Sequence, residues 1–284
     1  MPVLIPDTLE EACAALAAHP GATLLAGGTD LMVGVNAGRT RPDDVVAVGR
    51  IAELRGWQRD GDHVVLGAGT TYTQCMTEPL ASLVPVLAQA ARSVGSPQIR
   101  NAGTIGGNLG TASPAGDGTT ALVALGGTVR VRSVDGERDL DLATFVTGPR
   151  RTERRPDELI VSIRVPVLDG PQEFLKLGTR NAMVIAVASV ALVVDAGPAG
   201  GSQGMVRLAM GSVGPGPVRA TEAEAFAASA VDWTTGSATA GAADEFGALA
   251  AAASKPIDDH RSSAAYRRHA VEVLATRAFR RAFP

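Results

Sequence analysis

Cysteine is nearly missing from this chain of 284 residues, which has only Cys13 and Cys75. Neither lies in a C-x-x-C pair, so the sequence offers no cluster for zinc or an iron–sulfur centre. A Cys13–Cys75 disulfide stays open as an alternative, but nothing else points to an oxidising compartment. Aromatic residues are scarce at 4%, which leaves Ala, Val and Leu to fill the core. An excess of one charge is lacking too. Lys and Arg total 26 against 29 Asp and Glu, a net charge of −3, and the signs are mixed along the chain. That excludes the clustered basic footprint of a nucleic-acid binder. The longest apolar run, residues 183–194, is shorter than the ~20 residues a membrane helix needs. The opening residues, Met1-Pro2-Val3-Leu4-Ile5-Pro6-Asp7, carry no basic stretch and no long apolar run. No signal peptide and no membrane span are therefore expected, and the expected location is cytoplasmic. No internal repeat is found.

Glycine is what the chain has in quantity, with 33 residues. Two segments concentrate it. One is Leu24-Leu25-Ala26-Gly27-Gly28-Thr29-Asp30-Leu31, and the other runs Arg100-Asn101-Ala102-Gly103-Thr104-Ile105-Gly106-Gly107-Asn108-Leu109-Gly110. Without a Cβ, glycine reaches positive φ and leaves its N–H groups bare. Successive bare N–H groups make a concave anion site. Two such sites in one chain suit the two phosphates of a single dinucleotide, a reading that points to flavin binding. A Gly-Gly pair after a strand also serves as a plain turn. Neither segment has the Rossmann or the Walker spacing.

Periodicity outlines the elements. Thr8 and Glu11 form a capping-box pattern ahead of Leu9, Ala12, Cys13 and Leu16 at helical spacing. Pro20-Gly21 ends that helix, and residues 23–26 read as a short buried strand entering the first glycine segment. Further strands are expected at 45–48, 64–68, 128–133 and 159–165. A helix over 80–94 should break or bend at Pro85; a short one follows at 119–125. The Arg- and Pro-dense segment 148–157 reads as a boundary. Beyond it, strands at 174–179, 184–194 and 205–213, with a turn at 197–204, lead to helices at 221–229, 244–254 and 263–283. Strands followed by helices indicate an α+β chain rather than one parallel sheet.

The segments "LLAGGTDL" and "IRNAGTIGGNLGTASPAGD", with "FLKLGTRNAMVIAVASVALV", "MGSVGPGPVRATEAE" and "PIDDHRSSAAYRRHAVEVLATRA", cover nearly the whole chain in order. In this wording it resembles the FAD-binding medium subunits of the molybdenum hydroxylases, the xanthine dehydrogenase and carbon monoxide dehydrogenase type. The resemblance implies a two-lobed FAD-binding domain of the p-cresol methylhydroxylase / vanillyl-alcohol oxidase type over residues 1–168, with lobes of about 1–56 and 57–168. It implies a C-terminal α+β domain with an antiparallel sheet and helices over 169–284.

The same resemblance implies that backbone from Leu24 through Leu31 lines the cofactor. From the residues alone, Gly27, Gly28 and Thr29 suit the pyrophosphate, whereas Asp30 suits capping the next turn. Gly106 and Gly107 are expected to offer N–H groups in the same way, with Thr104 and Asn108 as donors, unless Asn108 braces its own turn. Asp117 suits a ribose hydroxyl or a helix N-cap. The family match gives cofactor roles to Thr104, Asn108, Thr111 and Asp117, and to backbone near Gly95, Gly103 and Ile160. Lys176 has apolar neighbours, Leu175 and Leu177, so it faces either solvent or an anionic partner. The match places it beside the flavin, where a cation stabilises the reduced form, with Arg180 just beyond. Arg277, Arg280 and Arg281 read as a solvated or subunit-facing surface.

Thr29 stands where some flavoproteins carry a flavin-linked histidine, so noncovalent FAD is expected. Val94 stands where some relatives place an aromatic residue. No molybdopterin or iron–sulfur motif is present. The family function therefore implies a large molybdopterin-binding subunit and a small 2Fe-2S subunit as partners, with NAD, a quinone or oxygen as acceptor. Two other functions compete: a stand-alone FAD-dependent oxidoreductase, for which His19, His63, His260 and His269 all lie far in sequence from the glycine segments, and a scaffold subunit that has lost FAD.

Overall fold

Twelve α-helices and five small sheets make up the described part of the computed structural model, residues 2–197 and 204–284. The chain opens with β1 (Val3–Leu4), α1 (Leu9–Ala18), β2 (Thr23–Leu25), α2 (Leu31–Asn36) and β3 (Val45–Ala47). The three strands pair in parallel in the order β1-β3-β2. Thr8 caps α1, its hydroxyl accepting the Glu11 N–H at 3.2 Å. The return arm of the expected capping box lands one residue early, on the Asp7 N–H at 2.8 Å. Leu9, Ala12, Cys13 and Leu16 form the buried face.

The second lobe comprises β4 (Trp57–Asp60), β5 (His63–Gly67), α3 (Tyr72–Cys75), α4 (Leu80–Leu83), α5 (Pro85–Ser93), α6 (Pro97–Ala102), α7 (Ile105–Thr111), α8 (Asp117–Leu125), β6 (Thr128–Ser133), β7 (Gly136–Asp141), α9 (Leu142–Phe145), β8 (Val146–Gly148), β9 (Arg151–Thr152) and β10 (Leu159–Pro166). The break at Pro85 is as expected, with the proline at the first position of α5, where its missing N–H costs nothing. The main sheet runs β4-β5-β10-β6-β7 and is antiparallel. Segment 148–157 is not a boundary. β8 and β9 form a hairpin that runs into it, and the chain returns as β10 to the centre of the sheet already begun.

The last part holds β11 (Gln172–Leu177), β12 (Ala188–Asp195), β13 (Met205–Gly211), β14 (Val218–Arg219), α10 (Thr221–Ala230), β15 (Val231–Asp232), β16 (Ser237–Ala238), α11 (Ala242–Ala253) and α12 (Ala264–Ala282). Its main sheet is antiparallel, β11-β12-β13-β14. β12 is apolar without alternation because both faces are covered. Ala191 and Val193 join the core of the first domain; Ala188, Val190, Leu192 and Val194 join the core beneath α10, α11 and α12. The strand expected from residue 184 begins only at Ala188. Residues 198–203 of the turn expected at 197–204 lie outside the described residues.

Cys13 and Cys75 are buried free thiols, so the disulfide alternative falls. Burial pushes the Cys75 thiol up to about 12. Arg280 and Arg281 lie on the exposed surface, where Arg280 pairs with Asp244 at 2.6 Å and Arg281 with Glu173 at 3.1 Å. Among the described residues, no helix is long and apolar enough to cross a membrane, and no group of His, Cys, Asp and Glu is arranged to hold a metal.

Candidate functional site

A cleft of about 1230 Å³ gathers both glycine segments, the start of α8 and one residue of β11. All the residues given a cofactor role from the sequence line it, Leu24 to Leu31, Gly95, Gly103, Thr104, Gly106, Gly107, Asn108, Thr111, Asp117, Ile160 and Lys176, whereas Arg180 does not.

β2 delivers the first segment. Gly28 has φ +71°, a conformation that favours glycine. The N–H groups of Gly27, Gly28, Thr29, Asp30 and Leu31 have no acceptor among the described residues. This is the bare concave run expected of an anion site. Gly27 also packs flat against the second segment, because a Cβ there would fall on the Ala102 carbonyl. Asp30 occupies the N-cap position of α2 but makes no capping bond. Its carboxylate lies 3.7 Å from Arg150 instead.

The second segment departs from expectation. Gly106 and Gly107 do not form a nest; they open helix α7. Thr104 caps it through the Gly107 N–H at 3.0 Å, and the Gly106 N–H donates to the Ala68 carbonyl at 2.8 Å. Both N–H groups are spent inside the protein. The glycines matter for their small size: a Cβ on Gly106 would stand 2.5 Å from the Ala68 Cβ, and one on Gly107 2.8 Å from the Thr104 hydroxyl. Asn108 does not brace its own turn. Its Oδ1 accepts the Thr119 N–H at 2.9 Å and the Thr119 hydroxyl at 2.8 Å, tying α7 to α8. Thr111 is the last residue of α7. Ile160 sits beside an irregularity in the pairing of β10 with β6. Gly95 has φ +44° just after α5.

Asp117 is the first residue of α8, one place past the N-cap position held by Gly116. Its side chain is buried. Oδ2 accepts from Lys176 Nζ at 2.5 Å and from the Ser93 hydroxyl at 3.0 Å, while Oδ1 is buried without a partner. Burial pushes this carboxyl above its usual range, and the Lys176 ammonium and Ser93 hydroxyl pull against that. Lys176 therefore faces inward, its side chain 10% exposed. Leu175 and Leu177 alternate to the other face and pack on the C-terminal core.

Three cleft residues carried no readable signal. Tyr72 is buried, and its ring lies where a Cβ on Gly103 or Gly118 would go. Burial first, then the Asp117 carboxylate, raises its hydroxyl well above the ordinary value. Arg150 and Arg154 came from the segment read as a boundary. A smaller adjoining cavity of about 300 Å³ takes Arg92, Arg100 and Arg180 beside Lys176.

A small parallel lobe facing an antiparallel lobe across a cleft with a bare N–H run defines a nucleotide-cofactor-binding protein. Comparison with known proteins gives the family. Residues 1–168 match the family described as "FAD binding domain in molybdopterin dehydrogenase", and residues 173–282 match "CO dehydrogenase flavoprotein C-terminal domain". The chain belongs to the family of FAD-binding oxidoreductase subunits of the molybdopterin dehydrogenases. It is 32% identical over 275 residues to the glyceraldehyde dehydrogenase medium chain of Sulfolobus acidocaldarius, covering 96% of this chain and 95% of that one. It is 37% identical over 203 residues to the nicotinate dehydrogenase FAD-subunit of Eubacterium barkeri, 69% of each. Among solved structures, carbon monoxide dehydrogenase from Hydrogenophaga pseudoflava superposes with a TM-score of 0.90 at 30% identity, over 99% of this chain and 96% of that one. The α+β class, with an FAD-binding domain followed by a C-terminal domain, is as expected.

Proposed function

We propose that this chain holds FAD noncovalently in the cleft and serves as the electron-transfer subunit of a molybdenum hydroxylase complex. In that complex a large molybdopterin-binding subunit oxidises the substrate, a small 2Fe-2S subunit relays electrons to this chain, and the acceptor is NAD, a quinone or oxygen. The observation that carries the reading is the bare N–H run from Gly27 to Leu31, set in one cleft with the buried Asp117–Lys176 pair.

FAD, when bound, supplies a group that takes up electrons singly and releases them in pairs. Gly27 to Leu31 suit its pyrophosphate, since unpaired N–H groups favour an anion. Asp117, held by Lys176 and Ser93, keeps Oδ1 as a free acceptor for a cofactor hydroxyl or N–H. Lys176 brings positive charge to the same wall. Leu24, Val94, Leu159 and Ile160 add apolar side chains to the lining of the cleft. No histidine or cysteine lines it among the described residues, in keeping with noncovalent binding. Relatives named for glyceraldehyde, nicotinate and carbon monoxide share this subunit type, so we assign substrate choice to the large partner. Two free thiols agree with a reducing, cytoplasmic setting.

Purification tests the reading. The isolated chain should be yellow, and acid denaturation should release all the flavin as FAD. A colourless protein that takes up no added FAD overturns the proposal; flavin left on the denatured chain overturns the noncovalent part. Co-expression with the large and small subunits should give substrate-driven NAD or dye reduction. Substrate turnover by the isolated chain would replace this reading with a stand-alone oxidoreductase.

A further inference from the structure

Arg154 leaves the β8–β9 hairpin and lines the cleft. One edge of its guanidinium is fixed. Nη1 donates to the carbonyls of Arg155 at 2.9 Å, Pro156 at 3.4 Å and Glu158 at 2.5 Å. Nε and Nη2 have no acceptor among the described residues, and no carboxylate pairs with the group there. The two acids that act on it, Glu158 and Asp157, do so without forming an ion pair. Glu158 is committed elsewhere: its oxygens take Arg138 at 2.7 and 2.9 Å and the Arg155 N–H at 2.7 Å.

A half-buried cation held by carbonyls and lacking a counter-ion is an unfinished arrangement. Burial lowers its pKa, with Glu158 and Asp157 pulling it back. A guanidinium with one edge locked and the other free is preorganised for a planar, two-oxygen anion. Of the four other cations lining the cleft, Arg39 is exposed and free to meet its charge with water, and the remaining three show no such need. Lys176 has Asp117, Arg150 lies exposed near Asp30, and Arg55 is exposed with a bond to the Gly49 carbonyl. The hairpin is moored to the end of α7 through the Arg150 N–H to the Ala112 carbonyl at 3.0 Å, and Arg150 reaches from there to Asp30, in the bare N–H run, at 3.7 Å.

We infer that Arg154 is a recognition residue for the diphosphate of the adenine-nucleotide half of FAD, its free edge completing from across the cleft the anion site that Gly27 to Leu31 begin. This rests on the cleft being the FAD site. It makes preference for FAD over FMN a property of the β8–β9 hairpin as well as of the glycine segment.

The test uses flavin-free full-length chain. Dissociation constants for FAD and FMN are measured by flavin fluorescence at low and high salt, for wild type, Arg154→Met and Arg154→Lys. Arg154→Met should weaken FAD at least about tenfold, the loss typical of one charge-assisted bond, and flatten the salt dependence. FMN affinity should stay within about twofold, and Arg154→Lys should fall between. Unchanged FAD affinity, or an equal loss for FAD and FMN, overturns the inference while leaving the cleft reading intact. Failure of wild type to bind FAD removes the cleft reading itself. Wild type offers a second measurement that needs no variant: ADP should displace FAD more strongly than adenosine does, with an advantage that shrinks in salt. Equal displacement by adenosine overturns the inference.

Discussion

Lys176 on β11 and Asp117 at the start of α8 meet at 2.5 Å, their side chains 10% and 5% exposed. The contact joins the C-terminal sheet to the lobe carrying the second glycine segment. Removing one member of a buried pair costs more than replacing both, because a lone charge is stranded. Lys176→Met should destabilise the flavin-free chain by about 3 kcal/mol in denaturant unfolding at neutral pH. Asp117→Leu combined with Lys176→Met should regain most of that. The single variant's deficit should shrink at low pH, since a carboxyl whose pKa burial raises is favoured in its protonated form in the folded state. With FAD bound, the loss of a nearby positive charge should lower the flavin reduction potential. An unchanged potential would place Lys176 away from the ring.

Gly27→Ala tests the contact between the two glycine segments. The added methyl would fall on the Ala102 carbonyl, which is backbone and yields only if the segment shifts. Overpacking of this kind costs ~1–3 kcal/mol, and FAD affinity should fall at least tenfold if the bare N–H run moves with it. Gly21→Ala, with nothing within 4 Å, should leave both stability and FAD affinity unchanged.

Asn108 holds α7 to α8 through two bonds to Thr119, itself fully buried. Asn108→Ala strands the Thr119 N–H and hydroxyl without an acceptor. A loss of ~1–3 kcal/mol in unfolding free energy is expected, with weaker FAD because Asp117 starts the helix that Asn108 anchors. A loss of FAD with no change in stability would instead make Asn108 a direct cofactor ligand only.

Asp259 gives a pH dependence. Burial pushes its carboxyl up, but bonds from the Arg261 and Ser262 N–H groups and the Arg267 guanidinium prevail and hold it at about 2. A depressed folded-state pKa stabilises above the unfolded value and loses that contribution as pH falls through the folded one. Stability should therefore decline between about pH 4 and 2. Asp259→Asn should be less stable at pH 7 and show a shallower decline over that interval. Acid unfolding followed by circular dichroism checks both.

Much of the fold follows local rules. Thr8 and the apolar spacing behind it mark α1, Pro85 marks the break after α4, and the Leu175–Lys176–Leu177 alternation turns the lysine away from the C-terminal core. At Gly106 and Gly107 distant packing overrides local preference. Gly106, Gly107 and Gly110 are poor helix formers, yet α7 forms because Thr104 caps it and Ala68 takes the Gly106 N–H from another element. Residue 68 is far off in sequence, so the local sequence predicts bare N–H groups at both segments, and the structure leaves them bare only at 27–31. β4 escaped notice because Gln58, Arg59 and Asp60 are all exposed on an edge strand. Arg154 lay hidden in a run whose composition resembles a linker, since what separates it from Arg151 or Arg155 is burial.

The central place of β10 bears on how the protein is made. Val165 pairs with Val64 and Ile163 with Val129, so β5 and β6 leave the ribosome long before the strand that joins them. Until residue 166 has emerged, both strands carry open apolar edges, and contacts of such wide sequence separation form slowly. Leu159 and Ile160 complete the cleft only then, and Lys176 arrives later still. Cofactor loading is accordingly a late event in biogenesis. A chain halted before Leu159 would present holdase chaperones with two hairpins, β4–β5 and β6–β7, each with an open edge, rather than a usable lobe.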